Sequence, residues 1–175
     1  MSIASCRQSA IVCATILAGG AVGGILEMIR SKSLRFLSMG LLVTLAVAER
    51  IAAGADEALR SLPGLPLDCR IGAAMLFGSR RPMLVRLIVP SAALLTLHRA
   101  VDDICAPHAA PEPMPNSRPG AWTPHVTLTR RLTPDQVGSA LTAIGGRDIR
   151  GSFAGLRHWH GDVKQAVTLQ PPASH

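Results

Sequence analysis

The sequence predicts an α+β fold of two pseudo-symmetric lobes, each an antiparallel sheet with helices, arranged around a central cleft. Two observations support this prediction: the composition and an internal duplication. The 175 residues are enough for one domain with its own core, and 48 % of them are hydrophobic while only 3 % are aromatic. We therefore expect a core built mainly from Ala, Val, Leu and Ile.

The duplication is visible in the tripeptide Val-Thr-Leu, which occurs at residues 43–45 and again 83 residues later at 126–128. Each copy is followed by a stretch that favours a helix and then by two stretches that favour strands. The predicted strands lie at residues 67–71 and 84–89 in the first copy, and at 149–153 and 166–169 in the second. The repeated order predicts one domain at residues 42–170, with lobes at 42–89 and 90–170.

The helices of the second copy carry clear boundary signals. Thr133 is a candidate N-cap, Pro134 suits the first helical position, and Gln136 completes a capping box. A second helix is predicted to begin after Pro90 and Ser91. A loop rich in Pro, Ala and Gly follows it at residues 106–123, and this loop would either cover a site or be mobile. The apolar faces of the two helices are formed by Val137, Leu141 and Ile144, and by Leu94, Leu97, Val101 and Ile104.

Residues 1–41 do not continue the repeat and form an atypical segment rich in Ala and Gly. The run from Ala10 to Leu26 is uncharged, 17 residues long, and interrupted by four glycines. Three interpretations remain open: a poor membrane or export segment, a divergent buried helix, or a start that is not native to the domain. Under the first, the run would give the protein a membrane contact.

Charge and cysteine content restrict the classes of function. Lys and Arg number 18 against 11 Asp and Glu, which gives a net charge of +7 and favours polyanionic or phosphate-bearing partners. None of the four cysteines belongs to a CxxC pair. We interpret them as small buried hydrophobic residues rather than a zinc site or a disulfide framework. The cysteines are Cys6, Cys13, Cys69 and Cys105.

The most informative segment is Pro-His-Val-Thr-Leu-Thr-Arg at residues 124–130. In a strand, His125, Thr127 and Thr129 would share one face while the intervening apolar residues point into the core. The imidazole and the hydroxyl would then stand about one phosphate width apart. A hydroxyl can bond a phosphate oxygen, and an imidazole can transfer a proton near neutral pH.

These residues resemble the 2H phosphoesterase superfamily, which includes 2′-5′ RNA ligases and cyclic phosphodiesterases. Its members carry two His-x-Thr/Ser motifs, one in each lobe, whose histidines act as general base and general acid. The motif at His125 and Thr127, followed by Arg130, is complete. The first motif retains Thr44, but Leu42 occupies the place of its histidine. The resemblance covers about 130 residues, and the loss at Leu42 predicts impaired turnover.

The resemblance implies a set of site residues and partners. His125, Thr127 and Thr44 would be catalytic, Arg130 would bind the substrate phosphate, and Trp122 would serve as a platform for a base. The partner would be RNA or a small nucleotide with a cyclic phosphate. The reaction would need no cofactor and no metal, and the protein would be cytoplasmic, or membrane-bound or exported if the N-terminal run plays that role.

The remaining histidines and arginines give weaker signals. We expect His98 to be exposed on its helix, and we consider that His108 could swing inward from the long loop. The spacing of His158 and His160 fits a pair of metal ligands, but no third ligand is near in sequence, so an edge-strand pair is the preferred interpretation. The arginines that could guide an RNA backbone, or lie in solvated turns, are Arg80, Arg81, Arg147 and Arg150.

Three hypotheses about function follow. The chain is an impaired 2′-5′ RNA ligase-like phosphoesterase, a hydrolase of RNA processing that acts on 2′,3′-cyclic phosphates or 2′-5′ linkages. Alternatively, it is a non-catalytic protein of the same fold that binds RNA or nucleotides. The third hypothesis, a membrane-tethered protein of another function, depends only on the run from Ala10 to Leu26.

Overall fold

A computed structural model describes residues 10–18 and 41–172 of the chain. Three α-helices occur in them: α1 Gly54–Arg60, α2 Ala92–Cys105 and α3 Pro134–Ile144. Two single-turn 3₁₀ helices cover Ala106–His108 and Pro115–Ser117. The strands are β1 Ala10–Ala18, β2 Leu41–Ala48, β3 Arg50–Ile51, β4 Leu67–Phe77, β5 Met83–Ile88, β6 Ala109–Ala110, β7 His125–Thr129, β8 Ile149–His160 and β9 Gln165–Gln170.

The main sheet is antiparallel and closes on itself. Its strand order is β1-β2-β7-β5-β4-β8-β9, and β8 also pairs with β1. One edge of β8 therefore carries β4 and β9, while the other edge carries β1. The six strands β1, β2, β7, β5, β4 and β8 form a continuous ring. This mixed α+β architecture confirms the predicted fold class.

The ring contains the duplication in a form that differs from the predicted repeat. β1, β2, α1 and β4 occur in the same order as β5, β7, α3 and β8. In the sheet, the neighbouring strands β2-β1-β8 correspond to the neighbouring strands β7-β5-β4. The first two strands of each repeat therefore lie beside the last strand of the other repeat. The repeat thus begins one strand before the Val-Thr-Leu tripeptide, and the exchanged strands connect the two halves.

β1 occupies the N-terminal run for which a helix was one interpretation. Val12, Ala14 and Ile16 are buried on the core side, and the strand is paired along both edges, with β2 and with β8. For residues 10–18 the helical interpretation is therefore wrong, and the sheet extends ahead of the boundary predicted at residue 42. The rest of the run to Leu26 lies outside the described residues. In the part of the chain that the structure describes, no helix has the length and apolar character needed to cross a membrane.

The helices confirm two predictions and correct one. The hydroxyl of Ser91 accepts the N–H of Leu94 at 3.1 Å at the start of α2. The side chain of Gln136 accepts the N–H of Thr133 at 3.0 Å at the start of α3. After the first Val-Thr-Leu, however, the stretch that favours a helix first completes β2, and only Gly54–Arg60 form a helix.

One face of the sheet carries the core and the other carries the candidate site. Val43 and Leu45 of β2, with Val126 and Leu128 of β7, are buried in one cluster with apolar residues of all three helices. The long loop at 106–123 packs beside this cluster. The N–H of Met114 donates to the carbonyl of Val47 at 2.8 Å.

Candidate functional site

The two tripeptide strands, β2 and β7, lie side by side in the ring. They are antiparallel and paired at Val43 and Val126. Continuing this register by one residue each way places Leu42 opposite Thr127 and Thr44 opposite His125. These four side chains are half-buried and share the face opposite the core. Directly opposed residues have Cβ atoms about 5 Å apart, so a phosphate group on this face would lie within reach of side chains from both strands.

His125 is held in one tautomer. Its Nδ1 lies 2.7 Å from the carbonyl oxygen of Thr123. Because a carbonyl can only accept, Nδ1 carries the proton, and in the neutral ring Nε2 keeps its lone pair. The ring of Phe77 meets the imidazole edge-to-face, with centroids 4.8 Å apart. This arrangement fixes the ring and leaves Nε2 as the atom that can accept a proton.

The hydroxyl of Thr127 has a weak partner. Its Oγ1 donates to the Sδ atom of Met83 at 3.7 Å. A thioether sulfur is a poor acceptor, so a phosphate oxygen would replace it at little cost. Met83 and Phe77 pair at the end of the β4–β5 hairpin, which therefore borders both His125 and Thr127.

Trp122 has a packing partner on one face. Its indole stacks on His98 at a centroid distance of 3.9 Å, and its Nε1 donates to the carbonyl of Thr44 at 2.9 Å. These contacts hold β2 at the residue that faces His125. The prediction that His98 is exposed is wrong, because only 2 % of it is accessible. The role of Trp122 as a base platform stays a prediction, while Phe77 is an aromatic ring that touches the catalytic candidate.

Arginines gather at the end of the sheet nearest to Thr127. Arg130 follows β7 directly and is exposed, and Arg131 adopts the left-handed backbone conformation with φ of 60°. The N–H of Leu132 donates to the carbonyl of Pro82 at 3.0 Å. This bond places the turn after β7 beside the exposed hairpin loop that contains Arg80 and Arg81.

Register reveals a further cation that the sequence analysis missed. Thr44 is paired with Cys13 of β1, and Cys13 with Arg157 of β8, so Arg157 lies two strands from Thr44 on the same face. Its Nε is buried and has no hydrogen-bond partner in residues 10–18 and 41–172. Burial raises the pKa of the Cys13 thiol to about 11, so this thiol is not a nucleophile at neutral pH. Only the strand pairing connects Arg157 with the site, and sequence spacing carries no such signal.

Other predicted candidates lie elsewhere. The carbonyl of His108 accepts the N–H of Ala52 at 3.0 Å, and the ring lies against Gly54 at the start of α1. Arg150 is paired across the strands with Arg70, beside a cavity of about 500 Å³. The carbonyl of Arg147 accepts from the buried Arg86. His158 projects from the opposite face of the sheet, as does Val12, its partner on β1.

Comparisons with known proteins identify the family and the fold. The model of the family described as the 2′-5′ RNA ligase superfamily matches residues 39–165. A search of curated proteins finds no significant match. The solved structure of Kluyveromyces marxianus Usb1 with uridine monophosphate is similar in fold, with a TM-score of 0.55 and 11 % identity over 94 % of this chain and 99 % of that one. Since the family model covers well over half of the sequence, this chain belongs to the 2′-5′ RNA ligase superfamily of 2H phosphoesterases.

Proposed function

We propose that this protein is a phosphoesterase for RNA or nucleotides that carry a 2′,3′-cyclic phosphate or a 2′-5′ linkage, impaired by the loss of its first motif histidine at Leu42. The observation that carries the proposal is the pairing of β2 with β7. It brings His125, Thr127 and Thr44 to one face, with Leu42 in the fourth position.

The chemistry assigned to each side chain follows from its contacts. Nε2 of His125 accepts a proton from a water molecule, whose oxygen forms a bond to phosphorus while the bond from phosphorus to the ribose oxygen breaks. The hydroxyls of Thr127 and Thr44 donate to the non-bridging phosphate oxygens. The departing oxygen takes its proton from solvent, because Leu42 cannot donate one.

The basic end of the sheet supports an RNA substrate. Arg130 and Arg131 on the turn after β7, with Arg80 and Arg81 on the adjacent hairpin loop, place four guanidinium groups on exposed segments. Arginine binds phosphate through two parallel hydrogen bonds and is weakly hydrated, which favours contacts with an RNA backbone. The chain that continues from the reacting phosphate would extend over this end.

The test is hydrolysis of a 2′,3′-cyclic nucleotide by the protein as it is, by Leu42→His and by His125→Ala. A general acid or base contributes about 10²–10⁴ in rate, so we expect Leu42→His to raise turnover by that factor. His125→Ala should abolish the activity of both forms.

The matched control is Leu87→His. Leu87 is half-buried and is paired with His125 from the other side, on β5. This variant adds an imidazole to the same face without restoring the first motif, so it should gain no activity. The proposed mechanism would be contradicted if Leu87→His gained as much activity as Leu42→His. It would also be contradicted if all of the proteins were folded but none hydrolysed the cyclic nucleotide.

A second candidate function is binding without turnover, and Leu42 is the observation that favours it. The groups that hold phosphate are retained, whereas half of the proton-transfer pair is absent. Calorimetry with a cyclic nucleotide separates the two functions. Binding by a protein that shows no turnover, weakened in Thr127→Val, would establish the binding role.

A further inference from the structure

On the core face of the sheet, three side chains with metal-binding groups converge. Nδ1 of His158 lies 2.7 Å from Oδ1 of Asp56, and Nε2 of His160 lies 3.8 Å from Oδ2 of the same carboxylate. The two imidazole rings contact each other with centroids 3.8 Å apart and their planes tilted by 40°. One ligand atom from each residue lies within 4.8 Å of the other two. Asp56 supplies the third ligand, which could not be identified near the two histidines in the sequence.

The environment of His158 indicates more than an ion pair that joins α1 to β8. Its side chain has 0 % exposure, and Nε2 has no hydrogen-bond partner in the part of the chain that the structure describes. A buried imidazole nitrogen without a hydrogen-bond partner destabilises the folded state. An ion pair needs only one of the two ring nitrogens. A bound cation would use an imidazole lone pair and hold the two imidazole rings together.

A cavity gives access to this cluster. It has a volume of about 810 Å³, and Asp56 and His160 are in its wall. Three protein ligands beside an open space resemble metal sites that keep one coordination position for water or a substrate. Imidazole and carboxylate ligands suit zinc and related divalent transition metals, whereas magnesium and calcium prefer oxygen ligands alone.

We propose that Asp56, His158 and His160 form a binding site for a divalent transition-metal ion such as zinc. Donor atoms bound to one zinc ion at about 2.0–2.2 Å lie at most about 4.4 Å apart, so the cluster needs to contract by only a few tenths of an ångström. The site is on the face opposite His125, and it does not depend on the proposed phosphoesterase activity.

Zinc titration of the full-length protein, after removal of metals with a chelator, tests the proposal by calorimetry. We expect one zinc ion per chain, and at least about tenfold weaker binding in His160→Gln. This substitution suits the test because His160 is 18 % exposed and keeps a polar side chain, so the fold should be retained. His125→Gln is the matched control, since it removes a histidine from the other face and should bind zinc as the wild type does.

Cobalt substitution in the wild-type protein provides a measurement that needs no variant. Visible absorption bands of low-symmetry Co²⁺, without a thiolate charge-transfer band, are expected for two imidazoles and a carboxylate. Three outcomes would overturn the proposal: no zinc binding at 100 µM, equal binding by His160→Gln, or a thiolate band that assigns the ion to a cysteine. The cluster would then be a structural ion pair.

Discussion

At the scale of single residues, the candidate site depends on which side-chain atoms have no strong hydrogen-bond partner. The Nδ1–H of His125 is satisfied by the Thr123 carbonyl, whereas the Thr127 hydroxyl has only a sulfur acceptor. Sequence reasoning found both residues because the motif is local. It could not find Arg157 or Asp56, since Asp56 and His158 are separated by 102 positions and meet only through folding.

Removal of the Thr127 hydroxyl should weaken phosphate binding without affecting the fold. A hydrogen bond to a charged group contributes about 1.5–3 kcal/mol, so we expect Thr127→Val to bind a cyclic nucleotide roughly 10- to 100-fold more weakly. Thr129→Val is the matched control, on the same strand and face but at the strand end. Equal losses in the two variants, measured by calorimetry, would argue against Thr127 as the phosphate ligand.

At the scale of elements, the segments with local signals could be predicted and those without them could not. The N-terminal caps of α2 and α3 could be recognised in the sequence from Ser91, Thr133 and Gln136, and both helices occur where expected. β1 was missed because consecutive residues on both of its faces are buried, such as Val12, Cys13 and Ala14, so the strand shows no clear polar alternation. α1 is shorter than expected because pairing extends β2 to Ala48 through residues that favour helices.

The contact between α2 and the long loop should make stability depend on pH. Burial of His98 lowers its pKa below the ordinary value of 6.5; Arg99 lowers it further, while the Ser117 carbonyl, Asp102 and the backbone of Leu45 oppose the shift. Since the folded pKa is below the unfolded one, the unfolded state binds more protons as pH falls below about 6.5. Stability is therefore retained above this pH and lost progressively below it.

Urea unfolding at pH 7.5 and pH 5.5 measures this effect. We expect a lower midpoint at pH 5.5, and a smaller difference between the two conditions in His98→Gln. His158, whose pKa burial also lowers, should supply the dependence that remains in the variant. An unchanged pH dependence in a folded His98→Gln would show that protonation of His98 is not coupled to unfolding.

At the scale of the whole molecule, β1 is the strand that closes the ring. It makes eight register pairs with β8 and seven with β2. The family match begins at residue 39, so it does not include this strand. The fold class followed from the duplication, but closure could not be foreseen, because it depends on pairs formed between the two ends of the sequence.

A fragment that begins at residue 41 should therefore aggregate. Without β1, the edges of β2 and β8 that pair with it would expose unpaired N–H and C=O groups, which favour aggregation. We expect the fragment to elute from size-exclusion chromatography as aggregates or to remain insoluble, whereas the full chain stays dispersed. A monodisperse and cooperatively unfolding fragment would show that β1 is dispensable.

The alternation of side chains in β2 separates what the strand contributes to folding from what it contributes to chemistry. Val43 and Leu45 are fully buried, whereas Leu42 projects to the other face and is only half-buried. The core packing is therefore the same whether residue 42 is a histidine or a leucine, and strand pairing does not depend on that side chain. A side chain at such a position can change with little penalty in stability, so selection for a folded protein alone does not fix its identity.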